Sequence, residues 1–235
     1  MKKTFAFFAF LLLCSASAQT SFRPGIVAGT NFSYPDKSTM LTDGFFTTYR
    51  SGLLGGFSGV VTVNDHFIFK TGLFYNTQSV GLRGDNPDFR TDIRVNSDNL
   101  LLPIQIGYQN KLGSLILREI IGISFNQNLK RRNVINLESK NQMPEPAYSV
   151  NELMSKQFMP MINFGLEIGS IFNSDAGFFI GVHYRQGFSR FYQFEYNSSY
   201  FNGSQFFSSK SNFLAIELTY YFSRPSLWFK KEFEY

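Results

Sequence analysis

From Phe178 to Phe188 the chain reads FFIGVHYRQGF, with Phe178, Ile180, Val182, Tyr184 and Phe188 on one side, interrupted only by Gln186. Gly181, His183, Arg185 and Gly187 fall on the other side. A repeat of two sends successive side chains to opposite faces of a β-strand. A soluble sandwich and a membrane barrel can both contain such a strand, because each has one apolar and one polar face. At least five other segments repeat the pattern, and their spacing separates the two architectures.

Eight strands are predicted, at 23–33, 51–63, 66–78, 98–109, 114–126, 158–172, 177–190 and 211–222. Strands two and three are joined by Asn64-Asp65, four and five by 110–113, and six and seven by 173–176. These short connections are rich in Asn, Asp, Ser and Gly, which tolerate the backbone angles of tight hairpins. The other connections, 34–50, 79–97, 127–157 and 191–210, are long and polar. In an antiparallel meander this strict alternation sorts the short turns to one rim and the long loops to the other, as outer-membrane barrels do. A Greek-key sandwich has no reason to sort its loops this way.

The faces agree from strand to strand. Strand three sets Phe67, Phe69, Leu73 and Tyr75 against Lys70, Gly72, Asn76 and Gln78, with Ile68 and Phe74 as inward exceptions. Strand six sets Ile162, Phe164, Leu166 and Ile168 against Asn163, Gly165, Glu167 and Gly169, and strand eight sets Leu214, Ile216, Leu218, Tyr220 and Phe222 against Ala215, Glu217 and Thr219. Lys70 or Arg185 facing lipid near the midplane would cost ~2–4 kcal/mol each, so the polar face is the lumen. Arg118 and Glu119 are adjacent and cannot both point inward without a bulge; Arg118 is inward, in step with Gly122, Ser124 and Asn126, and Glu119 is left unassigned. Strand two has glycines on both faces, which leaves its phase open. Aromatic residues gather toward strand ends, at Phe32, Phe46, Phe188 to Tyr192 and Tyr220 to Phe222, as interfacial girdles do. The expected fold is all-β, an eight-stranded antiparallel up-and-down transmembrane β-barrel.

The N-terminus supports export. Lys2 and Lys3 precede an apolar run from Phe5 to Leu13, followed by small residues at 15–18. This is the pattern of a signal peptide, with cleavage after Ala18. Acylation of Cys14 would need a small residue before it, and Leu13 stands there. The expected organisation is a signal peptide at 1–18, the barrel at 19–222 and a periplasmic C-terminal tail at 223–235. Cleavage removes the only cysteine and with it any disulfide or cysteine metal site. Lys plus Arg falls from 22 to 20 against 17 Asp plus Glu, a balance too modest to point to nucleic acid. No stretch after residue 20 approaches the ~18 consecutive apolar residues of a helical span.

Lys70, Arg118, Glu167, His183, Arg185 and Glu217 are the candidate lumen residues. Side chains just fill the interior of an eight-stranded barrel, so these groups are expected to pack as an ion-paired plug. Glu167, Arg185 and Glu217 lie on consecutive strands, which would allow a carboxylate on each side of the guanidinium. Of the two histidines, His66 borders a short turn and His183 faces the lumen, so no histidine lies near the external rim, where Asp85, Asp88, Asp92 and Ser97 would be weak bases or nucleophiles without support. No catalytic residue, metal or cofactor is expected. The triplet Lys130, Arg131 and Arg132 is the candidate contact to lipopolysaccharide phosphates at the outer leaflet.

GIVAGTNFS at 25–33, FIFKTGLFYN at 67–76, NLLLPIQIGY at 99–108, INFGLEIG at 162–169, IGVHYRQGFSRF at 180–191 and LAIELTYYF at 214–222 together resemble the PorT-like outer-membrane β-barrel domain found widely in Bacteroidota. The resemblance spans nearly the whole mature chain, and it implies an eight-stranded barrel in the outer membrane. The family's namesake takes part in type IX secretion. The tail SRPSLWFKKEFEY departs from barrels that end on an aromatic strand terminus. Pro225 breaks any continuing strand, and Trp228 and Phe229 beside two lysines are read as an anchor at the inner interface. The expected role is a small non-enzymatic barrel serving a cell-envelope complex for secretion or assembly, in contact with outer-membrane lipid and lipopolysaccharide. The alternative is a barrel whose surface loops bind a ligand or another surface; a lipid-modifying enzyme or a narrow pore comes after that. Mass spectrometry of the protein from outer membranes is expected to find Gln19 as its first residue, and retention of residues 1–18 would refute the processing assignment.

Overall fold

The computed structural model describes residues 20–34, 45–85, 89–139, 148–172, 176–198 and 205–223. The signal peptide, its cleavage site, and Trp228 and Phe229 of the tail lie outside the described residues. Eleven strands follow one another: β1 (Thr20–Tyr34), β2 (Phe45–Val63), β3 (Phe67–Asp85), β4 (Phe89–Leu112), β5 (Leu115–Ser139), β6 (Tyr148–Ser155), β7 (Phe158–Ile171), β8 (Gly177–Gly187), β9 (Tyr192–Ser198), β10 (Gln205–Ser209) and β11 (Asn212–Tyr221). Eight of them, β1, β2, β3, β4, β5, β7, β8 and β11, pair antiparallel in that order, and β11 pairs back onto β1 to close a barrel. These are the eight strands expected from the sequence, in the same order. Closure leaves no strand edge unpaired, which hydrocarbon demands because it offers no hydrogen bonds of its own.

The side chains are arranged inside out relative to a soluble protein. β8 alternates buried and exposed residues along its whole length. Its exposed members are Phe178, Ile180, Val182, Tyr184 and, at the outer end, Gln186, and the same outer surface carries Phe57, Leu73, Ile106, Ile121, Leu166 and Ile216. Many of the buried positions are polar or charged: Lys70, Gln105, Arg118, Asn163, Glu167, His183, Arg185 and Glu217 are each at most 1% exposed. An apolar exterior around a charged interior is stable only where the surrounding solvent is hydrocarbon.

Two positions that the sequence left open are settled by register. Glu119 faces outward opposite Tyr108 and Leu166, with no bulge beside Arg118. In β2, Leu54, Ser58, Val60 and Thr62 point inward while Leu53 and Phe57 point outward. A shift of register against β3 between Tyr49 and Leu54 produces the mixed faces above them.

At the short-turn rim, His66 belongs to the turn and not to the strand: residues 64–66 form a three-residue hairpin loop closed by the His66 amide donating to the Val63 carbonyl at 3.2 Å. Gly113-Ser114 joins β4 to β5, with Gly113 at φ 65°. His66 stacks on Tyr108 at 5.4 Å between ring centroids, and Phe67 meets the same ring edge-on at 5.5 Å, a cluster that suits a membrane interface.

The far end differs from expectation. The segments expected as long polar loops are largely strand, because β3 runs on to Asp85, β4 begins at Phe89 and β5 continues to Ser139. Connection 79–97 is therefore mostly a hairpin. Strands β6, β9 and β10 form a separate three-stranded sheet from the regions 127–157 and 191–210. Val80 and Leu82 of β3, Ile93 and Val95 of β4, Phe191, Tyr196 of β9 and Phe207 of β10 share one buried apolar cluster, so this sheet packs against the inward face of the extended strands and caps the mouth. Two groups of expected girdle aromatics are displaced accordingly. Phe191 is buried in the cap and Tyr221 in the lumen, since both fall on inward-facing positions.

Asn64 and Asp65 sit at φ 51° and 62°, where short polar side chains are tolerated and β-branched ones are not. Asn64→Val is expected to destabilise the barrel by about 1–3 kcal/mol in urea unfolding from lipid vesicles, with Asn64→Gly close to wild type. Equal stabilities for the two variants would contradict the turn geometry.

Candidate functional site

The six candidate lumen residues meet in one continuous charge network. The Lys70 ammonium donates to Glu167 Oε1. Arg118 Nη1 lies 3.6 Å from Glu167 Oε2, a charge contact longer than a hydrogen bond. His183 Nε2 stands between the two carboxylates, 3.2 Å from Glu167 Oε1 and 3.5 Å from Glu217 Oε2. Arg185 Nη2 donates to Glu217 Oε1 at 2.5 Å. Lys70, Arg118 and Glu167 thus connect through His183 to Glu217 and Arg185.

Strand register explains the connectivity and corrects one expectation. Glu167 and Glu217 both lie opposite Gly181 of β8, whereas Arg185 pairs with Asn163 and Phe213 farther along the strand. Arg185 therefore takes Glu217 alone, and Glu167 turns to Arg118, its register partner on the adjacent β5, and to Lys70 of β3 across the lumen. Two glycines make room for the crossing. A Cβ on Gly165 would stand 2.3 Å from His183 Nδ1, and one on Gly181 would stand 2.8 Å from His183 Nε2 and 2.9 Å from Glu167 Cγ.

The network lies between other layers, some of them not anticipated from the sequence. Toward the short turns, Phe179 and Tyr221 pack with Val60, Ile68, Ile116 and Ile120. The Arg118 guanidinium carbon lies 3.7 Å from the Phe179 ring centroid, a desolvated cation–π contact, and Arg118 Nε donates to Gln109 Oε1 at 3.1 Å. The alternation already marks Phe179 and Tyr221 as inward, but Tyr221 falls in an expected interfacial girdle and Phe179 is given no face. Toward the cap, amides take over: Asn163 Nδ2 donates to Ser124 Oγ at 2.5 Å, Asn31 Nδ2 to Asn76 Oδ1 at 2.8 Å, and the Ser211 hydroxyl to Gln78. The lumen is thus filled from an apolar floor through charges and amides to the apolar cap. Such a stack holds the wall in register.

The basic triplet lies on strand β5 and not in a loop. Lys130 pairs in register with Asp98, and Arg132 Nη2 reaches Asp98 Oδ2 at 3.3 Å on the outer face. Arg131 points the other way, to Glu152 of β6 at 2.8 Å and over the Phe191 ring at 5.5 Å. Strand alternation splits the three, so only Lys130 and Arg132 look outward.

Removing one partner of a buried ion pair leaves the other uncompensated, at a cost of about 3–5 kcal/mol. Glu217→Gln is expected to lower unfolding stability in lipid vesicles by that amount, while Arg185→Met combined with Glu217→Leu costs less than the single change. A double variant less stable than the single would show that the pair is not the unit of stabilisation.

The architecture has solved counterparts. The outer membrane protein OprG from Pseudomonas aeruginosa matches with a TM-score of 0.50 at 14% identity, over 87% of this chain and 97% of that one. The translocator domain of the autotransporter NalP from Neisseria meningitidis gives a TM-score of 0.32 at 10% identity, over 94% of this chain and 97% of that one. The transport unit of the autotransporter AIDA-I from Escherichia coli gives 0.29 at 10% identity, over 87% and 90%. No family model matches the sequence, and no curated protein does. At this level of identity the likeness to OprG speaks of the fold, and the fold is that of an outer-membrane β-barrel.

Proposed function

We propose that this chain is a small non-enzymatic integral barrel of the outer membrane, of the PorT-like kind, that serves as an accessory or structural component of a cell-envelope complex for secretion or assembly. The observation that carries the reading is the filled lumen. Lys70, Arg118, Glu167, His183, Arg185 and Glu217 are all buried against one another, and the β6, β9 and β10 sheet packs over the mouth. A barrel closed at its axis and covered at its outer end has only its surfaces to work with.

Two further features support this reading. His183 lies sealed between Glu167 and Glu217, and His66 stacks on Tyr108 at the short-turn rim, so neither imidazole stands beside an exposed hydroxyl nucleophile at the outer end. The outward pair Lys130 and Arg132 stands where the apolar belt ends, suited to lipopolysaccharide phosphates. The tail residues Trp228 and Phe229 belong in this picture as an inner-interface anchor. A second reading, a barrel that binds a ligand or another surface from its outer end, draws on the same capping sheet, which turns two loop regions into a fixed external structure.

The reading is tested by purifying the tagged protein from outer membranes in mild detergent and identifying what accompanies it. The expected result is a protein partner at stoichiometric amount. A clean monomer under conditions where known envelope complexes survive would contradict complex membership and favour the external-surface reading.

A further inference from the structure

On the outer face of the extended strands, above the apolar belt, lies a cleft of about 360 Å³ lined by Arg50, Arg83, Arg90, Asp92, Arg94 and Asn136. Four adjacent strands build it. Register sets Phe46 of β2, Arg83 of β3, Asp92 of β4 and Asn136 of β5 in one cross-strand row, and Gly81, Arg94 and Val134 in the next row down. Arg90 is one row up, beside Asp85 and Glu138 in register, so the cationic character of the cleft proper rests on Arg50, Arg83 and Arg94.

Among the described residues Asp92 is the single carboxylate lining the cleft, and two guanidiniums already hold it. Arg94 Nη2 donates to Asp92 Oδ2 at 2.6 Å and its Nε to the same oxygen at 3.0 Å, while Arg50 Nη2 reaches Oδ2 at 3.0 Å and Oδ1 at 3.2 Å. Partial burial pushes this carboxyl up, but the hydrogen bonds and charges of Arg94 and Arg50 outweigh it and keep the carboxyl below the usual range. Among the described residues Arg83 has no carboxylate within ion-pair distance; its guanidinium lies 5.8 Å from the Phe46 ring centroid. The Nε atoms of Arg83 and of Arg50 are buried without a hydrogen-bond partner. Two guanidiniums held on one carboxylate, with a third beside them, leave a net positive, donor-rich cleft, the arrangement that receives a phosphate through paired N–H donors.

The height of the cleft narrows the ligand. The outward apolar residues of β3 and β4 end near Tyr75 and Leu102, and the polar Asp98 stands just above. From Asp98 to Asp92 the strand runs about 20 Å, which at the ~40° tilt of a barrel strand is a climb of about 15 Å. That is beyond the level of the lipid's first headgroup phosphates and within reach of saccharide. We propose that this cleft binds a phosphate-bearing sugar, which the phosphorylated saccharide of a surrounding lipopolysaccharide or a free sugar phosphate could each supply.

The test uses the full protein in lipid nanodiscs, with heat-shifted gel mobility to establish that each variant is folded. Arg83 makes no ion pair among the described residues, so Arg83→Ala is expected to fold; Arg83→Ala combined with Arg94→Ala is the stronger variant. Calorimetric titrations with glucose 6-phosphate and with glucose probe the free source. Retention of lipopolysaccharide, compared with lipopolysaccharide stripped of its phosphates, probes the membrane-borne source. Saturable binding of glucose 6-phosphate but not glucose, weakened about ten-fold by Arg83→Ala, would establish a soluble ligand class. Phosphate-dependent retention of lipopolysaccharide, lost in the folded double variant without glucose 6-phosphate binding, would establish the membrane-borne class. Binding of neither probe, or binding unchanged in the double variant, would overturn the proposal. None of these outcomes depends on whether a protein partner co-purifies, so the site and the envelope-complex reading stand or fall separately.

Discussion

A chain that crosses hydrocarbon as strands must pair every backbone group, and eight strands achieve this only by closing on themselves around a space about as wide as the side chains that fill it. The rest of this molecule depends on that narrowness. Charged residues that are kept off the lipid face must go inward, and once inside they have no bulk water to solvate them. Glu167 and Glu217 are therefore each surrounded by cations, and His183 bridges the two groups. Pairing is the condition for burying these charges at all, and it ties β3, β5, β7, β8 and β11 together across the lumen as well as around the wall.

The same constraint explains why the membrane part was legible in the sequence and the outer part was not. Within the belt the apolar residues of β3 and β4 point out, as Leu73, Tyr75, Leu102 and Ile104 do. Above the belt the solvent is water and the rule inverts: Val80, Leu82, Ile93 and Val95 point in, and Arg83, Asp92 and Arg94 point out. The strand phase continues without interruption through β3 and β4 while the chemistry of its two faces exchanges. A reader following apolar-out alternation loses the strand where the exchange occurs, and takes Ser79 to Ser97 for a polar loop. The described parts of the long connections are therefore strand extensions and a capping sheet.

The charge network shows a similar division. Inward placement of Lys70, Arg118, Glu167, His183, Arg185 and Glu217 follows from alternation and from the cost of a charge in lipid. Partner choice does not, because it depends on register between strands distant in sequence, such as Glu167 meeting Lys70 across the lumen. Register is also what moves Arg185 away from Glu167, and the unforeseen extension of β5 is what lets alternation divide Lys130, Arg131 and Arg132 between two faces. The small residues that permit the network, Gly165 and Gly181, read in sequence as ordinary strand glycines; only the position of the His183 ring shows what they accommodate.

A lumen filled from floor to cap is the feature on which the functional reading turns, and ion flow reports on it most directly. Single-channel recording of the purified protein in planar lipid bilayers is predicted to show no current steps above the bare membrane at any salt concentration. Stable open levels whose conductance rises with salt would show a continuous water path through the barrel and contradict the account.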